Sequence, residues 1–265
     1  NLESSLKVVL FQRTTQGAAT TEYAKAFLSR AKAILRECAQ AEQLMAQMRG
    51  ATDGNIALGL STAPSLLLAP KVIADFRRSH PDVVIHLTTG LSQSLLPAVR
   101  EGRLDFAIVP VANSEKTDDL KLTSLFKSDP VVVARRLHPL VGAKGLHALK
   151  EAEWVLLDAA VRRMGGGSIR DVFETRKLGE PKIVLTCDSV IDCLNIVRTS
   201  DLLTALPRIL LSVASFADGV AQVNIREALP RYDISLVHRR SVPLSPHAST
   251  LASMFASYAR VSRRR

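Results

Sequence analysis

One short segment combines hydroxyl side chains with the predicted start of a helix, a place where proteins bind anions. Ser61-Thr62-Ala63-Pro64 follows a predicted strand at 56–60 and precedes a predicted helix. Backbone N–H groups and the positive end of the helix dipole meet at such a position, and the hydroxyls add further donors. Side-chain capping of the helix is the alternative role for Ser61 and Thr62. The segment therefore predicts either a site for a small anion or an ordinary cap.

Two further segments offer donors of the same kind. Gly165-Gly166-Gly167-Ser168 precedes another predicted helix, beside Arg162 and Arg163. Consecutive glycines, Gly166 among them, let backbone N–H groups converge on one anion, although a flexible surface loop is the alternative. Ser92 follows the next strand and is a candidate by the same reasoning. If these helix starts face one cleft, the expected effector is a carboxylate or a sulfonate.

Motifs for catalysis or metal binding are missing from the sequence. It contains no G-x-S-x-G elbow, no H-E-x-x-H pair and no phosphate-binding loop, and its six histidines are scattered. Cys187 and Cys193 have no second pair at metal-ligand spacing. We therefore expect no enzyme activity, no metal and no cofactor. The two cysteines are expected to be buried thiols, with a redox switch as the alternative.

The elements that must position these residues alternate between strands and helices after residue 55. This alternation predicts an α/β fold with a mostly parallel sheet. Strands are predicted at 56–60, 83–88, 104–109, 131–134, 154–157, 183–186, 202–205, 220–224 and 234–238, and helices at 66–78, 94–101, 169–177, 190–199, 207–214 and 245–260.

Two predicted strands run into prolines, Pro110 and Pro207, about a hundred residues apart. Such exits suit two crossovers between lobes, which predicts lobe I at 55–111 and 207–265 and lobe II at 112–206. Ligands of such folds bind between the lobes, beyond the carboxyl ends of strands. We expect Val109, Thr199 and Leu203 to line the hinge side of this cleft.

A long helix is predicted from Thr21 to Met48, since Thr21 is a preferred N-cap and neither Gly nor Pro interrupts the segment. Small and apolar residues recur alternately four and three positions apart, as in a coiled coil. Such a stripe predicts a dimer, although packing against the same chain is the alternative. Before this helix, 1–10 is expected to end a helix and 11–20 to form a small hairpin. The stripe consists of Phe27, Ala31, Ile34, Cys38, Ala41 and Met45.

The order of these features resembles LysR-type transcription regulators. The resemblance begins with Leu10-Phe11, Arg13, Gly17 and Thr21 and continues with Gly102-Arg103-Leu104-Asp105-Phe106-Ala107-Ile108. It implies a partial winged helix-turn-helix at 1–20, a linker helix that dimerises at 21–50, and a two-lobed, periplasmic-binding-protein-like effector domain at 55–265. Thr20 and Ala24 depart from the family's usual leucine and glycine.

The resemblance also assigns roles. It places the effector at Ser61 and Thr62 and implies that Arg13, Thr15 and Gln16 on the wing contact DNA phosphates. The family's first two helices would precede Asn1.

The resemblance and the bulk properties predict the same partners. The net charge of +10 favours an anionic partner such as nucleic acid. No apolar run is long enough to span a bilayer, and no signal peptide opens the chain, so we expect a cytoplasmic protein. The expected partners are double-stranded DNA, a small effector, and a second or further copies in a homodimer or homotetramer. The alternative is a stand-alone solute-binding protein, which leaves the heptad helix unexplained.

Overall fold

The computed structural model describes residues 2–15, 17–111, 115–157 and 169–262. The helices are α1 Leu2–Leu6, α2 Glu22–Met48, α3 Thr62–Leu67, α4 Ala69–Ser79, α5 Ser92–Arg100, α6 Ile169–Thr175, α7 Val190–Thr199, α8 Ala214–Ala217 and α9 Pro246–Ser262. The strands are β1 Phe11–Thr14, β2 Gly17–Thr20, β3 Gly54–Leu60, β4 Val83–Thr89, β5 Phe106–Pro110, β6 Leu120–Ser128, β7 Pro130–Arg135, β8 Glu153–Leu157, β9 Lys182–Cys187, β10 Thr204–Pro207, β11 Val220–Val223 and β12 Tyr232–Arg239.

Residues 2–15 and 17–20 fold against the start of α2. Strands β1 and β2 pair as an antiparallel hairpin, and Gly17 adopts a φ of +125°, which suits a residue without a Cβ. The Thr21 hydroxyl donates to the Val9 carbonyl at 2.8 Å, and Leu10 and Ala24 are buried between the two parts. The predicted helix end and hairpin are confirmed.

Helix α2 has the length and the cap that the sequence predicts. The Ala24 N–H donates to the Thr21 hydroxyl oxygen at 3.2 Å, which satisfies one of the unpaired donors of the first turn. Within α2, all of which is described, only Ala24 and Gln47 are buried. Most of the surface of α2 is therefore exposed to solvent in the single chain.

Lobe I is built on a five-stranded sheet with the order β4-β3-β5-β12-β6. Strands β3, β4 and β5 run parallel, whereas β12 pairs antiparallel with both β5 and β6. Side chains alternate across β5: Phe106 packs into the core with α4 and α9, and Ala107 packs on the other face with α5. Both faces of the sheet are thus covered by helices.

Lobe II contains a three-stranded sheet of order β10-β7-β11 and the parallel pair β8-β9. The two sheets join where Leu203 bridges Trp154 in parallel orientation. Trp154 and Phe173 are fully buried in the core of this lobe and meet edge to face at 5.9 Å between ring centroids. The α/β, two-lobed fold class is confirmed, but the expectation of a mostly parallel sheet is wrong. In the described parts of the two lobes, four of the seven strand pairings are antiparallel, because β12 and β7 each run against both of their neighbours.

The predicted lobe boundaries are wrong. The unpredicted strand β6 pairs with β12 in lobe I, and β11 pairs with β7 in lobe II. The chain therefore crosses at Asp129, between β6 and β7, and returns between β11 and β12. Pro110 and Pro207 are ladder residues inside their own sheets, opposite Ile234 and Pro130. A proline at a strand end removes a donor that the ladder does not need, so it marks no crossover.

Two predicted helices are interrupted. The segment 66–78 belongs to α3 and α4, which meet at Leu68, where Pro70 enters the first turn of α4. The segment 207–214 forms a 3-10 turn at Arg208–Ser212 followed by α8. Proline has no N–H to donate and is favoured at a helix start, so Pro70 begins a new helix instead of continuing α3.

Candidate effector-binding site

Helices α3 and α5 begin side by side at one edge of the lobe I sheet. Leu60, the last residue of β3, is opposite Thr89 of β4 and Ile108 of β5. Because the three strands are parallel, their carboxyl ends meet at this edge, and the chain turns from two of them into helices. Ser61 and Ser92 occupy these turns, as the sequence predicts.

The Ser61 side chain does not cap α3. Its hydroxyl donates to the Ile108 carbonyl at 3.2 Å, and its backbone N–H donates to the same oxygen at 2.9 Å. The residue is only 7% exposed. Ser61 therefore joins the start of α3 to β5, and the donors left at the helix start are the N–H groups of Thr62 and Ala63, since Pro64 has none.

Ser92 has the same role for α5. It is buried, and its hydroxyl donates to the Pro110 carbonyl at 2.6 Å. The two serines thus fix two helix starts against the end of one strand. Val109 lies between the two accepting residues, but its side chain is fully buried in the core with α5. The prediction that Val109 lines the cleft is wrong, because strand alternation turns this side chain away.

The matching edge of lobe II contains the carboxyl ends of β8, β9 and β10. Strand β10 ends at Pro207, opposite Pro130, and Pro130 directly follows the crossover at Asp129. This edge therefore lies toward lobe I. Helix α7 begins here, and the Asp192 N–H donates to the Ser189 hydroxyl oxygen at 3.2 Å.

Thr199 and Leu203 lie away from this edge, contrary to the sequence prediction. Thr199 ends α7, whose ten residues place it roughly 15 Å from the helix start. Its hydroxyl donates to the Asn195 carbonyl at 3.0 Å. Leu203 is fully buried beside Trp154, near the amino end of β8. The predicted residues Arg162, Gly166 and Gln16 lie outside the described residues.

The two cysteines of lobe II are neighbouring thiols. Burial raises the pKa of Cys193 to about 12, and the nearby Cys187 contributes in the same direction. The pKa of Cys187 is also raised, chiefly by burial. The Cys193 thiol donates to the Thr204 hydroxyl oxygen at 3.3 Å. Both thiols are therefore protonated near neutral pH, which suits the buried-thiol interpretation more than the redox switch.

The structure adds a crossover cluster that sequence reasoning missed. The Asp129 carboxylate accepts from Arg208 Nε at 2.9 Å and from Arg231 Nε at 3.1 Å. These guanidinium groups, Arg208 above all, lower the pKa of Asp129. Asp129 occupies the first crossover and Arg231 the second, so one carboxylate joins both. No local signal relates residues this far apart in the chain.

Helix α2 contacts lobe I through a polar docking face. Glu37 forms an ion pair with Arg239, and Gln40 Nε2 donates to Asp105 Oδ1 at 3.2 Å. Gln43 Nε2 donates to the Asn55 carbonyl at 2.7 Å. Burial raises the pKa of Asp105, against the opposing hydrogen bond from the Ala57 N–H. The alternative that α2 packs on its own chain thus holds for this face.

The predicted dimer seam lies on the opposite face of α2. At 3.6 residues per turn, Ile34, Cys38 and Met45 lie across the helix axis from Gln40 and Gln43. Ile34 is 64% exposed and Met45 is 48% exposed, and Cys38 and Ala41 are also exposed. Phe27 and Ala31 are partly buried. Polar contacts to the same chain therefore leave most of the seam free for another partner.

The N-terminal hairpin is exposed and carries one cation, Arg13. Arg13 and Thr15 are both exposed near its tip.

Among the described residues, no cluster of His, Cys, Asp and Glu has the arrangement of a metal site. In the same residues, no helix combines the length and apolarity required to cross a membrane.

The decisive comparison is with protein families, because residues 49–260 match the family described as the LysR substrate binding domain. The chain belongs to the LysR-type regulators. The HTH-type transcriptional regulator TdcA of Escherichia coli (strain K12) is 27% identical over 259 residues, which cover 97% of this chain and 81% of TdcA.

Solved structures of this family share the fold of our LysR-type regulator. Full-length CbnR complexed with its target DNA has a TM-score of 0.71 at 18% identity, over 98% of this chain and 86% of CbnR. The effector-binding domain of QuiR in complex with shikimate has a TM-score of 0.68 at 21% identity, over 79% of this chain and 98% of QuiR. The family expected from the sequence is confirmed.

Proposed function

We propose that this LysR-type regulator binds double-stranded DNA through its N-terminal hairpin region and senses a small carboxylate or sulfonate between its lobes. The observation that carries the effector site is the fixing of two helix starts, by Ser61 and Ser92, against the end of β5. The N–H groups of Thr62 and Ala63 at one start, and of Ser92 at the other, have no partner within their helices. They supply the donors for an anion.

The site works through the two lobes together. An anion held at the start of α3 also meets the facing edge of lobe II, where β8, β9 and β10 end. Arg162 and Gly166, which the sequence predicts as effector ligands, lie outside the described residues. An effector shifts the balance between lobe arrangements only by its difference in affinity for them. As part of the same proposal, the regulator has no enzyme activity and acts in the cytoplasm.

The seam of α2 completes the proposal by pairing with a second copy. A stripe with Ile34 and Met45 exposed is unfavourable in water, and its heptad spacing matches a helix of the same kind. A dimer would hold two hairpins at a fixed distance on DNA, and a stand-alone solute-binding protein would have no use for α2.

A pair of substitutions at residue 62 tests the anion site. Thr62→Pro removes the backbone donor, and the geometry permits it: Ser61 is extended, with φ −72° and ψ 165°, and proline is favoured at the first helical position. Thr62→Ala keeps the N–H and removes only the hydroxyl. For any carboxylate or sulfonate that stabilises the wild type in a thermal-shift panel, we expect Thr62→Pro to weaken binding about tenfold.

The matched outcomes separate the backbone role from a structural one. Thr62→Ala should bind within about threefold of wild type, and both variants should retain affinity for operator DNA. Equal binding by Thr62→Pro and wild type would contradict the anion site. The absence of any anion that stabilises the wild type would contradict the effector class.

A further inference from the structure

A cavity lies where helix α2 docks on lobe I, and we name it the junction pocket. It has a volume of about 350 Å³, near the lower end of the range of small-molecule sites. Asn55 of β3 and Asp105, just before β5, line it, so it lies at the amino ends of parallel strands. The anion site lies at their carboxyl ends, and Ser61, Thr62 and Ser92 are not among the residues that line the pocket. The two sites are therefore separate.

Three arginine side chains meet around the turn that follows α5. In α2, Arg36 Nη2 donates to the Glu101 carbonyl at 3.1 Å, and Arg103 Nε donates to the Glu101 carboxylate at 2.7 Å. Gly102 has a φ of +67°, and a Cβ added to it would lie 3.2 Å from Arg239 Nη1. The absence of a side chain on Gly102 thus lets a third guanidinium group approach the turn closely. All three arginines line the junction pocket.

The wall of the junction pocket carries more cations than anions. Among the described residues, its carboxylates are Glu37 and Asp105, against the three arginines. The Glu37 carboxylate pairs with Arg239, and the Asp105 carboxylate accepts from the Gln40 amide and from the Ala57 N–H. Both anions therefore already have partners within the protein. The arginines leave one positive charge in excess, which favours an anionic ligand.

Arg36 is the cation whose hydrogen bonds are least satisfied. Within the described parts of the chain it forms no ion pair, and its one hydrogen bond goes to the Glu101 carbonyl. Its Nε is buried and has no acceptor. A guanidinium group presents several N–H donors in one plane, an arrangement that matches two oxygens of a carboxylate or a phosphate. A partly buried guanidinium without an anion is unfavourable, so an anion bonded to Arg36 would offset part of this cost.

The rest of the lining indicates which anion fits. Guanidinium groups on three sides of one turn suit a phosphate group, which has three terminal oxygens and a charge of about −2 near neutral pH. Leu44 and the segment Val242-Pro243-Leu244 supply apolar surface in the same pocket. Such a surface can cover one ring or a short carbon chain, and the volume leaves room for little more.

We propose that the junction pocket binds a small phosphate monoester. The phosphate contacts Arg36 of α2 together with Arg103 and Arg239 of lobe I, and the organic part packs on Leu44 and Pro243. A ligand held in this way joins α2 to lobe I, so it favours the docked position of the helix. Any effect on DNA binding rests on the proposed function, whereas binding of the phosphate monoester itself does not.

Isothermal titration calorimetry of the full chain with phenyl phosphate tests the junction pocket. We expect a dissociation constant of about 10 µM to 1 mM. Inorganic phosphate should bind about tenfold more weakly because it lacks the ring, and phenol should give no measurable binding because it lacks the charge. Absence of binding by phenyl phosphate at about 10 mM would overturn the proposal.

Charge variants test the arginines. Arg103→Gln removes a guanidinium group that bonds Glu101 within lobe I, so it leaves the contacts of α2 intact. It should weaken the binding of phenyl phosphate about tenfold, and so should Arg36→Gln. Lys32→Gln is the control, since it removes an exposed cation of α2 outside the pocket, and it should bind within about twofold of the wild type. Equal binding by both arginine variants and the wild type would overturn the assignment.

A steric variant separates this site from the anion site. Ala39→Trp, at an exposed position in the pocket lining, should block the pocket and abolish binding of phenyl phosphate. Ser29→Trp adds the same ring to an exposed position of α2 outside the pocket and should bind normally, as should Thr62→Pro. Loss of binding in Thr62→Pro but not in Ala39→Trp would place the probe in the anion site, which overturns the junction pocket and leaves the proposed function intact.

Amide exchange tests whether the ligand joins α2 to lobe I. Saturating phenyl phosphate should slow exchange in the linker 49–53 about threefold in the wild type, because undocking of α2 then requires loss of the ligand. The same concentration should have little effect on the linker in Arg103→Gln. Unchanged exchange in the saturated wild type would contradict the proposed bridge between the two parts.

Discussion

Two helices of this protein carry apolar stripes of similar period, and they meet very different surroundings. Helix α9 buries five residues against α4 and the lobe I sheet: Ala248, Leu251, Ala252, Phe255 and Ala259. Helix α2 is ten residues longer and buries only Ala24 and Gln47, one at each end. Its contacts with lobe I are hydrogen bonds and one ion pair.

The difference shows the limit of what an apolar stripe in the sequence predicts. Its periodicity predicts that a helix has an apolar face, but it does not predict which surface packs against that face. In α9 the cover is in the same chain, so its stripe contributes directly to folding. In α2 the docking face is polar and the apolar face is free, so its stripe is available for association.

The largest expected effect comes from emptying the covered stripe. Phe255 is fully buried and meets Phe106 edge to face at 6.4 Å between ring centroids. Phe255→Ala should lower the free energy of unfolding of lobe I by about 3–5 kcal/mol, through lost burial and the cavity left behind. Urea denaturation measures it. Ile34→Ala is the control and should change the stability of the dissociated chain by under about 0.5 kcal/mol. A similar loss of unfolding free energy in both variants would show that the stripe of α2 contributes to folding as much as the stripe of α9.

A charge on the free stripe should act on association instead. Ile34→Glu places a carboxylate on the seam and should raise the dimer dissociation constant by about a hundredfold or more. Analytical ultracentrifugation over a concentration series measures this. Ser29→Glu adds the same charge at an exposed position off the stripe and should leave the constant nearly unchanged. An unaltered mass for Ile34→Glu would refute the seam.

A smaller effect is expected where α2 docks on lobe I. Glu37→Gln removes the charge that pairs with Arg239 and should weaken docking by about 0.5–1 kcal/mol, since Glu37 is partly exposed. Amide exchange in the linker 49–53 should then accelerate about twofold to fivefold. Glu22→Gln, which breaks the exposed pair with Lys25, is the control and should change exchange very little. Identical exchange in both variants would show that the Glu37 pair does not hold α2.

The smallest expected effect concerns the alkylation of two cysteines, one buried in lobe II and one exposed on α2. With a pKa of about 12, Cys193 stays protonated at pH 8, and its reactive thiolate appears only as the pH approaches that value. Cys38 is exposed on α2. Iodoacetamide at pH 8 should therefore modify Cys38 in the Ile34→Glu variant and spare Cys193, as read by mass spectrometry. Rapid alkylation of Cys193 in the folded protein would contradict its burial.

Local signals sufficed for some elements and failed for others. The cap at Thr21 and the uninterrupted run to Met48 define α2 within one stretch of chain. Strand β6 was missed because its membership depends on pairing with β12, more than a hundred residues later. The lobe boundary failed with it, since a proline after a strand records a local backbone constraint and not which sheet the strand joins.

For the candidate site too, the positions of some residues follow from the local sequence and those of others depend on the fold. The positions of Ser61 and Ser92 at one edge follow from the sequence, because parallel strands bring their carboxyl ends together, whereas their part in effector binding stays a prediction. Thr199 and Leu203 were misplaced because the direction of α7 was not known. The cluster of Asp129, Arg208 and Arg231 joins three distant segments, so only the fold reveals it.

The rigid union of the hairpin with α2 has a mechanical consequence. Thr21 bonds the hairpin to the start of the helix, while lobe I holds the second half of the helix, from Arg36 to Gln43. The free arm of α2, from Thr21 to Arg36, is about 22 Å long. A tilt of about 10° of this arm would move the hairpin by about 4 Å, so a slight adjustment inside the sensor becomes a displacement comparable to one base-pair step.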